Sequence, residues 1–308
     1  MKQEKSCICV IAGHIKPNSL QHICTVSNIK YFAKVSQKII LINSYKNNAI
    51  NEEIQSKYKD LDIEFIECIN YAGLGHAKWS YCIDNHIDQD LYTEILLTND
   101  SFLLVNSIES MRDLHYTDKY DFTGIVSSRE GSWHTQDFLR FYKMKNANKL
   151  SYWYKEYQAM MNITGTVEDL TTEQFYENEK KMINAEINST SIFSSVGCRY
   201  ILPLTYKKNI HFDDEMLADY LQNKGYPAVK IKKMNYTYYN DKSIPKDFNH
   251  KTYLQINKDL PFTSKEDCVK HFKNHGMMEG RFYKHKQKKE LPNYLKPFIE
   301  KEIGNVCN

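Results

Sequence analysis

The chain has 308 residues, 42% of them hydrophobic and 13% aromatic, with a formal net charge of +3. That length suits one large domain with a small appendage or two modest domains, and the composition excludes a disordered chain. The near-balanced charge argues against a dedicated nucleic-acid binder. Eight cysteines without a CxxC pair or Cys/His clustering indicate neither a zinc site nor a disulfide framework, so reduced thiols are expected. The N-terminal apolar run is short and reaches Gly13-His14 without a cleavage-like site, and no 18-residue apolar span follows. The expected compartment is the cytoplasm, with any membrane contact peripheral. The Asn-x-Ser/Thr sequons at Asn162, Asn188 and Asn235 are then expected to carry no glycan.

In chain order, Cys7–Ala12 reads as a strand in which Cys7 and Cys9 share a face. Ser19 is placed to cap a helix to about Val35, with Leu20, Ile23, Val26, Ile29 and Ala33 as its apolar stripe. Lys38–Ile42 is a second strand, Asn51–Lys59 a helix, Ile63–Ile69 a third strand, and His76–Ile87 a further helix. Strands alternating with helices at this spacing predict a mostly parallel sheet wrapped on both faces. No GxGxxG follows the first strand, so the dinucleotide fingerprint is missing.

The stretch Glu94–Asn106 (EILLTNDSFLLVN) organises this pattern. Ile95-Leu96-Leu97 is an unbroken apolar run, as in a strand buried on both faces. Thr98-Asn99-Asp100-Ser101 follows where that strand leaves the core, and in open α/β sheets ligands collect beyond the carboxyl ends of strands. A carboxylate flanked by an amide and two hydroxyls suits a hard divalent cation and its phosphates. The alternative is a strand ending in an Asx or Ser turn.

Beyond it, a helix is expected near Ile108–Leu114, a strand at Asp121–Val126, and a polar loop at Ser127–Ser132 placed to sit over a ligand. His134–Tyr142 reads as a strand, and residues 165–182 as an exposed polar helix or lid. Asn184–Ser195 reads as a helix ended by Gly197, Tyr200–Leu204 as a strand, and Asp213–Asn223 as a helix capped by Gly225. Ala228–Ile231 is the last expected strand. From about Ile244 the texture turns to short helices, and Lys284–Lys289 is a basic, solvated tail.

Four stretches in order carry a resemblance: NYAGLGHAKW (70–79), ILLTNDS (95–101), HTQDFLRF (134–141) and AEINSTS (185–191), followed by Gly225-Tyr-Pro-Ala-Val-Lys-Ile. Together they resemble the rhamnan synthesis protein F family of polysaccharide-building glycosyltransferases, over about residues 6–235. The resemblance implies a GT-A-type, Rossmann-like α/β fold with a mostly parallel sheet flanked by helices and a small helical C-terminal extension. The implied division is a glycosyltransferase domain over 1–245, its nucleotide-binding half about 1–105 and its acceptor half about 106–245, then a module and tail over 246–308. The chain departs from the family pattern at Gly75, where a carboxylate is usual before Phe-Gly-Lys-Trp, and reads His76-Ala77-Lys78-Trp79 after it. Asp137 stands where Ser is usual, and Ala228 replaces an aromatic.

The implied activity is metal-assisted transfer of a sugar from a nucleotide-sugar donor to a glycan acceptor, inverting, with a carboxylate base. Thr98-Asn99-Asp100 falls where the fold type carries its Asp-x-Asp signature. That makes Asp100 the ligand of a divalent ion (Mn²⁺ or Mg²⁺), with Asn99 or Ser101 orienting ribose or phosphate. Glu186, expected at a helix start, falls at the position of the general base; the alternative is a solvated carboxylate favoured there by the helix dipole. Asp213, Asp214 and Glu215 are the next candidates, or a charged first turn. His134 is a second metal ligand, a phosphate donor, or a hydrogen-bonded strand residue. Gln136 and Asp137 lie on the acceptor or phosphate side. Lys78 is placed to pair with the diphosphate, Trp79 belongs to the core, and Gly13, His14 and Asn70 fall on the donor side. Residues 253–283 resemble a small helical module that accompanies some glycosyltransferases. There His271, His275 and Glu279 share a helical spacing, but Gly276 between them favours a helix end over a metal site. Two other classes stand beside this reading. One is a catalytically silent glycan-binding or scaffolding protein, kept open by Gly75. The other is a nucleotidyltransferase, disfavoured by the missing Gly-rich phosphate loop.

Overall fold

The computed structural model describes residues 6–17, 19–46, 48–129, 132–202, 225–230, 248–273 and 283. The chain is α/β. Strands β1 (Cys7–Gly13), β2 (Lys38–Asn43), β3 (Asp62–Glu67) and β4 (Glu94–Asn99) alternate with helices α1 (Leu20–Phe32), α2 (Ala49–Lys57) and α3 (Leu74–Asn85). They pair in parallel in the order β3-β2-β1-β4. The sheet then continues through β8 (Leu139–Lys143), antiparallel to β4, and β6 (Phe122–Ser128), antiparallel to β8. On β6 lie both the two-residue β7 (His134–Thr135), antiparallel, and β9 (Val196–Tyr200), parallel. A separate ribbon pairs β5 (Phe102–Leu104) with β10 (Ala228–Lys230). The remaining helices are α4 (Glu109–His115), α5 (Met144–Met160), α6 (Thr172–Ser189), α7 (His250–Ile256) and α8 (Lys265–His271).

Alternation along the inner strands builds the core on both faces of the sheet. Cys7, Cys9 and Ile11 pack with Ile29, Phe32 and Leu96 on one side. Ile8 and Val10 pack with Trp79, Ile83, Ile95 and Leu97 on the other. Side chains of period two, buried on both faces, are why Ile95–Leu97 reads as an unbroken apolar run. Ser19 caps α1 as expected, accepting from the His22 amide. At the far end of β4 the His115 ring meets Glu94 at 2.6 Å inside the core, an internally paired polar contact remote from the carboxyl edge.

Several expectations are corrected. The run from His134 breaks into β7 and β8, with Gln136–Phe138 as the turn between them. One helix, α6, spans most of 165–195. It starts early because Thr171 and Gln174 form a reciprocal capping box, and Met182, Ala185 and Ser189 are buried along it. Its exposed face supplies the polarity that suggested a lid. Gly197 therefore caps nothing; it lies in β9, where a Cβ would come 2.7 Å from the Tyr120 ring. The strand expected at Tyr200–Leu204 is β9, ending at Tyr200. The expected helix Asp213–Asn223, with Asp213, Asp214 and Glu215, lies outside the described residues. So do Asn235, His275, Gly276, Glu279 and the basic tail.

Helices α7 and α8 have their own small core of Tyr253, Leu260, Phe262, Cys268, Phe272 and Tyr283, with Phe175 and Tyr176 of α6 packed against it. Within the described residues 248–273 this part of the chain is helical and packs on α6. Among the described residues no helix is long and apolar enough to cross a membrane.

Candidate active site

The parallel register brings the carboxyl ends of three strands level, because Gly13 pairs with Asn43 and Ala12 with Asn99. The residues just past those ends therefore meet. The His14 amide donates to Asp100 Oδ2 at 3.0 Å, and His14 Nδ1 lies 2.9 Å from Ser44 Oγ. Ser44 Oγ donates in turn to Asn70 Oδ1 at 3.2 Å. Asn99 Oδ1 accepts from the Ser101 amide and hydroxyl, closing a tight polar turn beside Asp100. Lys78 reaches the same edge from α3 and donates to the Gly13 carbonyl at 2.8 Å while almost wholly buried. Gly13, His14, Asn70, Lys78, Asn99, Asp100 and Ser101, all predicted on the donor side, are thus gathered at one edge. Ser44 joins them without a sequence signal, since a lone Ser after a strand is commonplace.

Burial raises the Asp100 carboxyl above the ordinary carboxylate value, against the opposing charge of Lys78 and the His14 amide. Burial lowers Lys78, and the charges of Asp100, Glu168 and Asp259 work against that. The first turn of the polar segment contributes here: Glu168 Oε1 accepts from Asn70 Nδ2, and the Val167 amide donates to the Asn70 carbonyl at 2.8 Å. Asp259, from the loop after α7, contacts Lys16 and stands 3.7 Å from His14 Nε2.

A second cluster sits at the β7–β8 turn. Asp137 Oδ2 lies 2.7 Å from His76 Nε2 of α3, and the Asp137 amide donates to Glu186 Oε1 at 3.0 Å. Glu186 stands in the last turn of α6, not at a helix start as expected, so neither its position nor its environment is that of a solvated N-terminal carboxylate. Arg140, buried in β8, ties the turn to the helix. It donates to the Thr135 and Gln136 carbonyls and to Ser189 Oγ at 2.9 Å. Enclosure and the Asp137 charge push Glu186 up to about 8. At Asp137 burial works upward too, but His76, Arg140 and Lys230 outweigh it and hold this carboxyl well below the usual range. Two neighbouring carboxyls with opposite displacements are an acid–base arrangement in chemical terms.

Lys230 links the clusters. Its strand pairing sets it opposite Phe102; its amine lies 4.0 Å above the Phe138 ring and donates to Ser101 Oγ. Its charge lowers the carboxyls of Asp100, Asp137 and Glu186 alike. His134 is a buried β7 residue with Nδ1 2.8 Å from the Ser132 carbonyl, and Gln136 is buried in the turn. His76, Arg140, Lys230 and Asp259 carried no individual assignment from sequence. The first three lie within the stretches of the family resemblance, which was the one available signal. Among the described residues, no three His, Cys, Asp or Glu side chains converge as a metal cage.

No protein-family model matches the sequence, and no curated protein matches it. Solved structures similar to it include HddC from Yersinia pseudotuberculosis, at 12% identity and TM-score 0.36 over 47% of this chain and 79% of that one. Another is 4-diphosphocytidyl-2C-methyl-D-erythritol synthase from Anaerococcus prevotii, at 12% identity and TM-score 0.38 over 71% and 96%. A third is the galactosyltransferase LgtC in complex with donor and acceptor sugar analogues, at 10% identity and TM-score 0.38 over 62% and 72%. Likeness at this depth does not reach activity or substrate.

Proposed function

We propose that the chain is a glycosyltransferase that moves a sugar from a nucleotide-sugar donor to a glycan acceptor with inversion. The observation that carries this reading is the juxtaposition of the Asp100 edge with the Asp137–Glu186 carboxyl pair, joined by Lys230. Asp100, Lys78 and Lys230 face the donor's diphosphate, and Gly13, His14, Asn70 and Asn99 its nucleoside. Asp100 with the oxygens of Asn99 and Ser101 is an all-oxygen, hard donor set. A divalent ion such as Mn²⁺ or Mg²⁺ would take Asp100 as its protein ligand and most others from phosphate, since Asn99 Oδ1 accepts from Ser101 and Ser101 Oγ accepts from Lys230. Bound there, the ion would neutralise charge on the leaving diphosphate; Lys78 and Lys230 supply positive charge from the protein itself.

Glu186 is the acceptor-side base. As the acceptor oxygen bonds to the anomeric carbon, the ionised Glu186 takes its proton. The nucleoside diphosphate leaves with the electron pair of the broken bond. A base of high proton affinity is strong once ionised, so transfer rises with pH through about 8 and levels off above it. Transfer and donor hydrolysis measured over a panel of nucleotide sugars, with and without Mn²⁺, test the assignment; no turnover of any donor in either condition overturns it.

One observation favours a second reading, a catalytically silent glycan-binding or scaffolding protein. At Gly75, where the resembled family carries a carboxylate, an added Cβ would meet nothing within 4 Å. The space for that side chain is open, and its absence is the kind of change that silences an enzyme. Glycan binding without donor hydrolysis would select this reading.

A further inference from the structure

His76 and Asp137 are far apart in sequence, on α3 and in the β7–β8 turn, yet their side chains stand 2.7 Å apart, both largely buried. The His76 ring is wedged edge-on to Trp79 and 4.5 Å from the Tyr154 ring, so it has little freedom to turn away. Asp137 in turn touches Glu186 through its own amide, at 3.0 Å. This inference rests on the reading of Glu186 as the acceptor-side base. We propose that the His76–Asp137 pair is a positioning device for Glu186. The Asp137 amide fixes one carboxyl oxygen of Glu186, and the Asp137 charge, kept in place by His76, holds the proton on Glu186 until the pH favours its release.

The groups facing Glu186 come from several elements. Asp137 of the turn opposes its ionisation, whereas Arg140 of β8 and Lys230 of β10 favour it. The Tyr142 hydroxyl of β8 is a further titratable neighbour, and Ser189 lies one turn along α6, donating to the Glu186 carbonyl at 2.7 Å. Two cations alone would draw Glu186 down; the anion beside it and its enclosure turn the balance. Ionisation releases the Glu186 proton to solvent, and the carboxylate formed then accepts the proton of the sugar acceptor's hydroxyl. The pair touches no reacting atom, so its role is distinct from that of the base.

The test reads Glu186 directly, by NMR titration of ¹³C-carboxyl glutamate in the full chain, with Glu186→Gln identifying the signal. Asp137→Asn keeps the amide and the size while removing the charge. It is expected to lower the Glu186 midpoint from near 8 by about one pH unit or more, the scale of a like charge removed at close range. His76→Phe is expected to lower it too, because Asp137 without its partner is free to turn away from Glu186 and repels it less. His76→Gln keeps a polar N–H group within reach of Asp137 and is expected to restore much of the wild-type midpoint. The double variant His76→Phe/Asp137→Asn should match Asp137→Asn alone, since His76 acts only through Asp137. The pH–rate profile of transfer should move with the midpoint. A midpoint unmoved in Asp137→Asn overturns the pair, whatever the transfer rate. A midpoint that shifts as described, in a chain that turns over no donor, upholds the pair and overturns glycosyl transfer instead.

Discussion

At Glu186 the anion of Asp137 and the enclosing protein act in one direction, and Arg140 and Lys230 in the other. A base acts on the acceptor, so Glu186→Gln should leave donor affinity near wild type. Transfer should fall by roughly 10² to 10⁴, the usual range for a general base. Retention of more than about a tenth of the rate, outside that range, would hand the role to another group, with Asp213, Asp214 and Glu215 next to be tried. In the proposed reaction Asp100 belongs to the donor side. Its replacement by Ala removes the one carboxylate in contact with the His14 amide at the strand edge. Nucleoside-diphosphate binding in Mn²⁺ is expected to weaken greatly, and calorimetry that found it unchanged would release Asp100 from metal and phosphate.

The elements that bear on the Asp100 edge include the C-terminal helices. The C-terminal helices dock by stacking Phe262 on Tyr176 and meeting Phe175 edge-on, while Asp259 reaches Lys16 in the loop after β1. A chain ending at Ser243 would expose Phe175 and Tyr176 and leave Lys16 without this carboxylate. It is expected to melt lower and to aggregate; a soluble product with unchanged melting would show instead that the module is dispensable to the fold. Asp259→Asn separates the two contributions, because it spares the aromatic contact. A partly buried ion pair that loses its charge on one side should cost about 1–2 kcal/mol, readable by denaturant titration. Arg140 does comparable work between β8 and α6. Its bonds to Gln136 and Ser189 add a second tie between the turn carrying Asp137 and the helix carrying Glu186, beside the Asp137 amide bond.

For the whole molecule, the carboxyl pair writes a signature into stability against pH. Glu186 has its folded value raised, from an ordinary 4.5 to about 8. Its neutral form is therefore the one the fold prefers. The contribution is fully present below 4.5 and is lost as pH rises toward 8, at up to about 1.4 kcal/mol per pH unit for one proton. Asp137 has its folded value depressed, so its contribution is present above the ordinary aspartate value and is lost as the solution becomes strongly acidic. Chemical denaturation across pH 4.5 to 8 should show the wild type losing stability relative to Glu186→Gln as pH rises. Parallel curves would mean that Glu186 is already ionised throughout. Transfer should rise over the upper part of the same window, so catalysis gains where the fold weakens.

Local pattern was enough to determine the parallel half of the sheet and the edge where the candidate donor-side residues gather. Apolar runs such as Ile95–Leu97 mark strands buried on both faces, alternation with helices dictates parallel pairing, and parallel pairing brings the strand ends level. From that, Asp100, Gly13 and His14 could be placed together before any coordinates, since each immediately ends or follows an inner strand. Where the signal was local but shared between two outcomes, it misled. The polar residues 165–182 and the small residues after Asn184 read as separate elements, although the Thr171–Gln174 box starts one helix that carries both. The family resemblance pointed to Glu186 and Asp137, but the environment that sets their proton affinities lay beyond sequence for a different reason. Glu186 meets the Asp137 amide across 49 positions of chain, through a turn whose place depends on a buried arginine. Proton affinity is set by desolvation and by charges within a few ångströms. Those distances are created only when β8 enters antiparallel, α6 packs behind it, and α3 brings His76 to the turn.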